Sequence, residues 1–161
     1  MSLVLALRAA NAADTALILG FIVELAEYEQ LAHEVVATED ELARTLFGRA
    51  PAAEVVIAEW DGDAVGFALF FGSYSTFLAK PGLYLEDLYV RPSHRSRGIG
   101  LALLRHLAAL AVERGHGRFE WSVLDWNEPA IRFYRSVGAV PLGDWTRFRL
   151  TGDALAALAK T

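Results

Sequence analysis

The hydrophobic residues of this chain recur in two patterns, one typical of helices and one typical of strands. Apolar side chains spaced three or four residues apart predict long helices over residues 11–31 and 99–114. Weaker patterns predict helices over residues 128–137 and 151–160. Runs rich in β-branched and aromatic residues predict strands over residues 3–8, 54–60, 65–71, 83–91, 119–124 and 145–150, with a loop over 72–82.

Turn and cap signals indicate where several of these elements begin and end. Thr38 and Glu41 have the spacing of a capping box, which predicts a short helix that continues through Phe47. Asp61-Gly62 is typical of a hairpin turn, and Asn127 is placed to cap the helix that follows it. The order of elements is therefore β, α, α, three strands, then α, β, α, β and a terminal helix. This order is typical of a mixed α/β sheet with helices on both faces.

Composition narrows the class of protein. The chain has 161 residues, 54% of them hydrophobic and 22% charged, which predicts one domain over residues 1–161 with a sizeable core. Fifteen Lys and Arg against twenty Asp and Glu give a net charge of −5, which disfavours a nucleic-acid partner. No apolar run is long enough to span a membrane, and the first residues lack the basic region of a signal peptide. We therefore expect a cytoplasmic protein.

The types of residue present also limit the chemistry. The chain has no cysteine, which excludes disulfides, thiolate nucleophiles and cysteine-containing zinc sites. Its four histidines follow no metal-ligand spacing, so no metal is expected.

One stretch combines a strand, a basic glycine-containing loop and a helix. Arg91, Arg95 and Arg97 follow the strand, and Gly98 and Gly100 open the helix. Backbone amides at a helix start have no intrahelical partner, and small residues let an anion approach them. The stretch thus predicts a diphosphate site, although a glycine turn with solvated arginines would have the same local pattern. It matches neither the Rossmann nor the P-loop motif.

Two motifs carry a resemblance to a known family. The pattern Arg95-x-x-Gly98-x-Gly100 after a strand resembles motif A of the GNAT superfamily of acetyl-CoA-dependent N-acetyltransferases. The segment 127–139 resembles the family's Asn-x-x-Ala-x-x-Phe-Tyr-x-x-x-Gly-Ala pattern. Within the superfamily the chain is similar to the spermidine/spermine and thialysine N-acetyltransferase group. Residues 24–29, 46–48, 84–87 and 124–127 carry that similarity, which extends from about residue 8 to residue 145.

The resemblance implies a GNAT fold, a mixed and mostly antiparallel sheet flanked by helices, with acetyl-CoA as co-substrate. It implies that the pantetheine arm pairs with the strand backbone at Leu88, Tyr89 and Val90. It further implies that the diphosphate lies on the loop formed by Arg95, Ser96, Arg97, Gly98, Ile99, Gly100 and Leu101. Relatives often carry glycine at the position of Ser96. Asn127 matches a residue that touches the cofactor arm, and a helix N-cap would explain it equally well.

The resemblance also implies two catalytic residues. Tyr134 matches the general acid that protonates the departing thiolate, although helical spacing alone would favour a core aromatic. Glu86 matches a general base, which is needed because an alkylammonium with a pKa near ~10.4 cannot attack until it loses a proton. Attraction of the cation alone is the alternative role for Glu86. Alternation along the strand predicts that Leu83, Leu85, Asp87 and Tyr89 share one side, opposite Glu86. Asp87 is therefore interpreted as a surface or ion-paired carboxylate.

Three further positions bear on the substrate. Glu29 matches an acidic residue near the amine in polyamine enzymes, and a solvated helix carboxylate is the alternative. Polyamine acetyltransferases carry an acidic residue at the position of Ser75 and tryptophan at that of Phe77, so this chain looks more like the thialysine type. We expect a homodimer that acetylates the primary amine of a thialysine-like amino acid, diamine or polyamine by direct attack in a ternary complex. A protein or peptide N-acetyltransferase and a non-catalytic acyl-CoA sensor are the alternatives.

Overall fold

A computed structural model describes residues 4–160, so residue 3 of the first predicted strand lies outside the described residues. The chain forms two compact units, one ending at Ser122 and the other beginning at Val123. The first contains β1 (Leu5–Ala9), α1 (Thr15–Tyr28), α2 (Glu39–Phe47), β2 (Glu54–Trp60), β3 (Asp63–Ser75), β4 (Lys80–Val90), α3 (Ile99–Glu113) and β5 (Phe119–Trp121). The second contains α4 (Glu128–Ser136) and α5 (Gly152–Leu158). The prediction of one domain stays a prediction.

The five strands of the first unit form one sheet in the order β1-β2-β3-β4-β5. The first four strands are antiparallel, and β5 runs parallel to β4. The expected mixed, mostly antiparallel sheet is therefore confirmed. Four successive residues of β2, Val55 to Ala58, are all buried. Because successive side chains of a strand point to opposite faces, both faces of the sheet are covered.

The core against one face is built from α1 and α2. Ile18 and Phe21 of α1 are completely buried and belong to one cluster with Ile57, Phe67 and Tyr89 of the sheet. The rings of Phe21 and Phe67 stack with centroids 5.3 Å apart. Helix α3 packs on β2, β3 and β4 with its own fully buried leucines. The strand that leads into the glycine loop is thus held rigidly between helices.

The predicted loop over residues 72–82 is wrong for most of its length. Strand β3 continues to Ser75 and β4 begins at Lys80, so that only residues 76–79 form the turn. Glycines suggested a loop, but Gly82 serves a close approach between strands. A Cβ atom at Gly82 would lie 2.6 Å from the hydroxyl oxygen of Ser73 and 3.3 Å from the carbonyl oxygen of Arg118. The result is a long hairpin rather than a flexible loop.

The predicted last strand is also wrong. Residues 145–150 adopt neither helix nor strand in the described chain, and Trp145 and Phe148 are largely exposed. Residues of high β-propensity form a strand only where a neighbouring strand completes the hydrogen bonds. Strand β5 is shorter than predicted for a related reason, since its pairing with β4 ends at Trp121. The helix predicted over 11–31 begins later, because Asn11 caps a short 3-10 turn that precedes α1.

Candidate active site

Strands β4 and β5 pair over only three residues of each strand. Leu83, Tyr84 and Leu85 pair with Phe119, Glu120 and Trp121. From Glu86 to Val90, β3 is the only strand that pairs with β4 among the described residues. An extended ligand can add to a strand edge of this kind through backbone hydrogen bonds. This opening contains Leu88, Tyr89 and Val90, the residues predicted to pair with a cofactor arm.

A β-bulge lies at the start of the opening. Leu69 pairs with Asp87 while the adjacent Phe70 pairs with Leu85, which leaves Glu86 as the extra residue. Leu69 and Phe70 point to opposite faces of the sheet, so Leu85 and Asp87 do too. The expectation that Leu85 and Asp87 share a side is therefore wrong. The bulge interrupts the alternation on which that expectation depended.

The bulge brings three carboxylates into electrostatic contact. Burial, together with the charges of Glu86 and Glu29, raises the pKa of Asp87 to about 7. Burial and the charge of Glu86 also raise the pKa of Glu29. Among residues 4–160 no hydrogen bond or ion pair neutralises any of the three. Asp87 is half-buried and unpaired, which differs from the surface or ion-paired carboxylate expected, and the cluster is suited to hold a cation.

The glycine loop follows the opening directly. Ser96 and Gly98 both have left-handed backbones, with φ of 62° and 78°. Glycine is the residue that adopts this conformation without strain, so the left-handed backbone is more costly at Ser96 than at Gly98. Within residues 4–160 no side chain caps the start of α3, and a Cβ atom at Gly98 or Gly100 would meet nothing within 4 Å. An open helix start of this kind can accept an anion such as a phosphate.

Each of the three arginines around this loop contacts another side chain. Arg91 forms an ion pair with Glu24, with 3.1 Å between Nη2 and Oε2. The guanidinium of Arg97 lies 5.1 Å from the ring centroid of Trp60. The guanidinium of Arg95 lies over Tyr28. Arg95 and Arg97 nonetheless remain exposed to solvent, as the alternative of a glycine turn with solvated arginines predicts.

The second unit carries the other two predicted site residues. Asn127 is buried and caps α4, with 3.4 Å between its Oδ1 and the amide nitrogen of Ala130, so its prediction as an N-cap is confirmed. Tyr134 lies in α4 and is half-buried, and its ring centroid is 5.5 Å from that of Phe133. The cofactor contact predicted for Asn127 and the proton donation predicted for Tyr134 stay predictions.

The hairpin tip is remote from the carboxylates of the same chain. Ser75 is buried, and its hydroxyl oxygen accepts a hydrogen bond from the Leu78 amide at 3.2 Å. Phe77 lies in the turn and is 91% exposed. Ser75 pairs with Lys80, which precedes Glu86 by a strand length of about 20 Å. The structure thus does not bring Ser75 or Phe77 to Glu86 within one chain.

The fold and this site define a protein that can bind an extended anionic ligand along β4, beside a cluster of carboxylates. Residues 22–139 match the model of the Acetyltransferase (GNAT) family. The chain belongs to this family and is an acyltransferase. No helix within residues 4–160 has the length and apolar character needed to cross a membrane.

Individual proteins resemble the chain over almost its whole length. Thialysine N-epsilon-acetyltransferase of Mus musculus is 36% identical, over 95% of this chain and 96% of the relative. L-ornithine N5-acetyltransferase NATA1 of Arabidopsis thaliana is also 36% identical, over 96% of this chain and 87% of the relative. The solved structure of an integron cassette protein from the mobile metagenome of V. cholerae superposes with a TM-score of 0.83 at 27% identity, covering 99% of this chain and all of the other.

Proposed function

We propose that this protein is an acetyl-CoA-dependent N-acetyltransferase that acts on the primary amine of a small amino acid or diamine. The observation that carries the proposal is the juxtaposition of the carboxylate cluster with the open stretch of β4. Glu86 and Asp87 lie at the start of that stretch, and the glycine loop lies beyond its end at Val90. A donor bound along the stretch would therefore extend from the anion loop toward groups that attract a cation.

The donor would be held mainly by backbone groups. The strand at Leu88, Tyr89 and Val90 would pair with the pantetheine arm, and the loop of residues 95–101 would hold the diphosphate. Asn127 would contact the arm in addition to capping α4. When bound, acetyl-CoA supplies the activated acetyl thioester. The absence of cysteine from the chain supports direct transfer to the amine in a ternary complex.

The carboxylates and Tyr134 would carry out the proton transfers of the reaction. An alkylammonium with a pKa near ~10.4 must lose a proton before its nitrogen can attack. A base works best when its pKa lies near the working pH, and Asp87 meets this condition with a pKa of about 7. Glu86, the base indicated by the resemblance, would act beside it by attracting the amine. The phenol of Tyr134 would protonate the departing thiolate.

The substrate class is proposed from charge and from relatives. The cluster of Glu29, Glu86 and Asp87 favours a cationic substrate. The named relatives acetylate thialysine and ornithine, which are amino acids with a side-chain amine. Ser75 provides no charge for the far ammonium of a long polyamine. We therefore place thialysine-like amino acids and short diamines ahead of spermidine.

We also infer a homodimer in a cytoplasmic setting. Tyr74 and Phe77 of the hairpin expose apolar surface that a second copy would cover. Because the hairpin tip is remote from Glu86 of its own chain, any contribution of Ser75 and Phe77 to substrate choice would be made at the partner's site. Sedimentation equilibrium at micromolar concentration should give twice the chain mass, and a monomer would contradict the inference.

The decisive test of the proposed activity is release of free thiol from acetyl-CoA in the presence of different amines. We expect thialysine, ornithine and short diamines to stimulate release more than spermidine or a lysine peptide does. The Gly98→Val variant is the control for the donor site. A β-branched residue at φ 78° is strained by about 1–3 kcal/mol, which should weaken acetyl-CoA binding at least fivefold.

The other outcomes identify the alternatives. Stimulation by the peptide alone would indicate a protein N-acetyltransferase. Binding of acetyl-CoA without stimulation by any amine would indicate a sensor. Unchanged donor affinity in Gly98→Val would contradict the placement of the diphosphate on this loop.

A further inference from the structure

The side chain of Arg95 joins three elements around the glycine loop. Its Nε donates a hydrogen bond to the carbonyl oxygen of Val90, the last residue of β4, at 2.9 Å. Its guanidinium carbon lies 4.9 Å from the ring centroid of Tyr28 at the end of α1, and 5.7 Å from that of Tyr89. Arg95 thus connects the start of the loop to α1 and to β4 by direct contacts.

This geometry places the guanidinium in contact with other groups of the protein. The Nε proton is committed to Val90, and the guanidinium is held over Tyr28 by cation–π attraction. The loop needs such a contact, because Ser96 holds a left-handed backbone only while neighbouring contacts enforce it. A lysine at this position would keep the charge but lose the planar, fixed contacts.

We propose that Arg95 and Tyr28 are positioning residues that hold the loop of residues 95–101 in its anion-binding shape, and that Arg95 is not itself a ligand of the diphosphate. The inference rests on the proposed function, since it concerns the donor site. It gives Tyr28 a role that neither charge nor helical spacing indicates. Tyr28 precedes Glu29, so the same contact also links the donor loop to the carboxylate cluster.

Calorimetric titration with coenzyme A separates positioning from charge. We expect Arg95→Lys and Tyr28→Leu each to weaken binding about three- to tenfold, because each removes the contact between the guanidinium and the ring. Tyr28→Phe keeps the ring and should stay within about twofold of the parent. The double variant Arg95→Lys/Tyr28→Leu should bind coenzyme A with the same affinity as whichever single variant binds it less tightly, because both changes break the same contact.

Kinetics and a matched control exclude a general loss of structure. KM for acetyl-CoA should rise in Arg95→Lys and Tyr28→Leu while kcat at saturating donor stays within about twofold. Arg114→Lys is the control, since it disturbs the pair of Arg114 with Glu54, outside the loop, and should leave donor affinity unchanged.

Three results would overturn the inference. Parental affinity in Arg95→Lys would show that charge alone matters. Tyr28→Phe as weak as Tyr28→Leu would remove the ring contact from the explanation, and fully additive losses in the double variant would show that the two residues act separately. Failure of the unaltered protein to bind coenzyme A would instead refute the proposed function, and this inference with it.

Discussion

Replacing Tyr134 by phenylalanine is expected to lower kcat by about 10²–10⁴-fold, the range that general acid–base groups contribute. The thiolate that leaves acetyl-CoA during attack by the amine needs a proton, and in the proposed reaction the phenol supplies it. Phenylalanine keeps the ring and its packing beside Phe133 but has no proton to give. Steady-state kinetics at saturating amine and donor would measure the loss.

The same variant separates catalysis from binding. Affinity for coenzyme A should stay within about twofold, because only one hydroxyl is removed from a half-buried ring. Tyr74→Phe is a matched control, since Tyr74 lies on the hairpin, 65% exposed, and should leave kcat unchanged. A Tyr134→Phe enzyme as fast as its parent would remove this phenol from the mechanism.

Local signals in the sequence were sufficient for much of the fold. Thr38 and Glu41 form both reciprocal bonds of the predicted capping box, and Asn127 caps α4 as predicted. Gly115 and Gly138 follow the ends of α3 and α4 and have left-handed backbones with φ of 71° and 93°, as glycines just past a helix end typically do. In each case the residue type and its few neighbours determine the conformation, so a pattern over a few positions is enough.

Features that depend on partners distant in sequence could not be predicted. The bulge at Glu86 exists only in the pairing of β4 with Leu69 and Phe70, and one extra residue there changes the face on which Asp87 lies. The stacking of Arg95 on Tyr28 joins positions far apart in the chain. The close approach at Gly82 involves Ser73 and Arg118, which are distant in sequence and near only in space. The sequence around Gly82 therefore could not show that it lies in a strand. The motifs thus located the site, while its electrostatics required the register of the sheet.

Replacing Asp87 by asparagine is expected to lower kcat by about 10²–10³-fold at pH 7 and to change the pH profile. With a pKa of about 7, Asp87 is mostly protonated below pH 6 and mostly charged above pH 8. If it takes the proton of the amine, activity of the parent rises with pH through this range. The variant should keep only the rise due to ionisation of the amine itself.

Glu86→Gln distinguishes the two candidate bases. Its charge contributes to the raised pKa of Asp87, so removing it should lower that pKa and move the rise in activity to lower pH. If Glu86 were the base, Glu86→Gln would lower kcat itself, and Asp87→Asn would leave kcat unchanged. Loss of kcat in Glu86→Gln alone would therefore assign the base to Glu86.

The raised pKa also has a consequence for stability. The folded protein holds the proton of Asp87 up to about pH 7, whereas an ordinary aspartate releases it near 3.8. Folded chains thus bind more protons than unfolded ones between these values, and the stability contributed by this group falls as pH rises through that window. At pH 8 the Asp87→Asn variant should be more stable than its parent by on the order of 2 kcal/mol, after discounting for partial exposure. Denaturant unfolding of the parent and the variant at pH 5 and pH 8 would measure this difference in the free energy of unfolding. If the variant loses activity but gains stability at pH 8, Asp87 destabilises the folded protein and is kept for its role in the reaction. If the variant loses both activity and stability, Asp87 has a structural role.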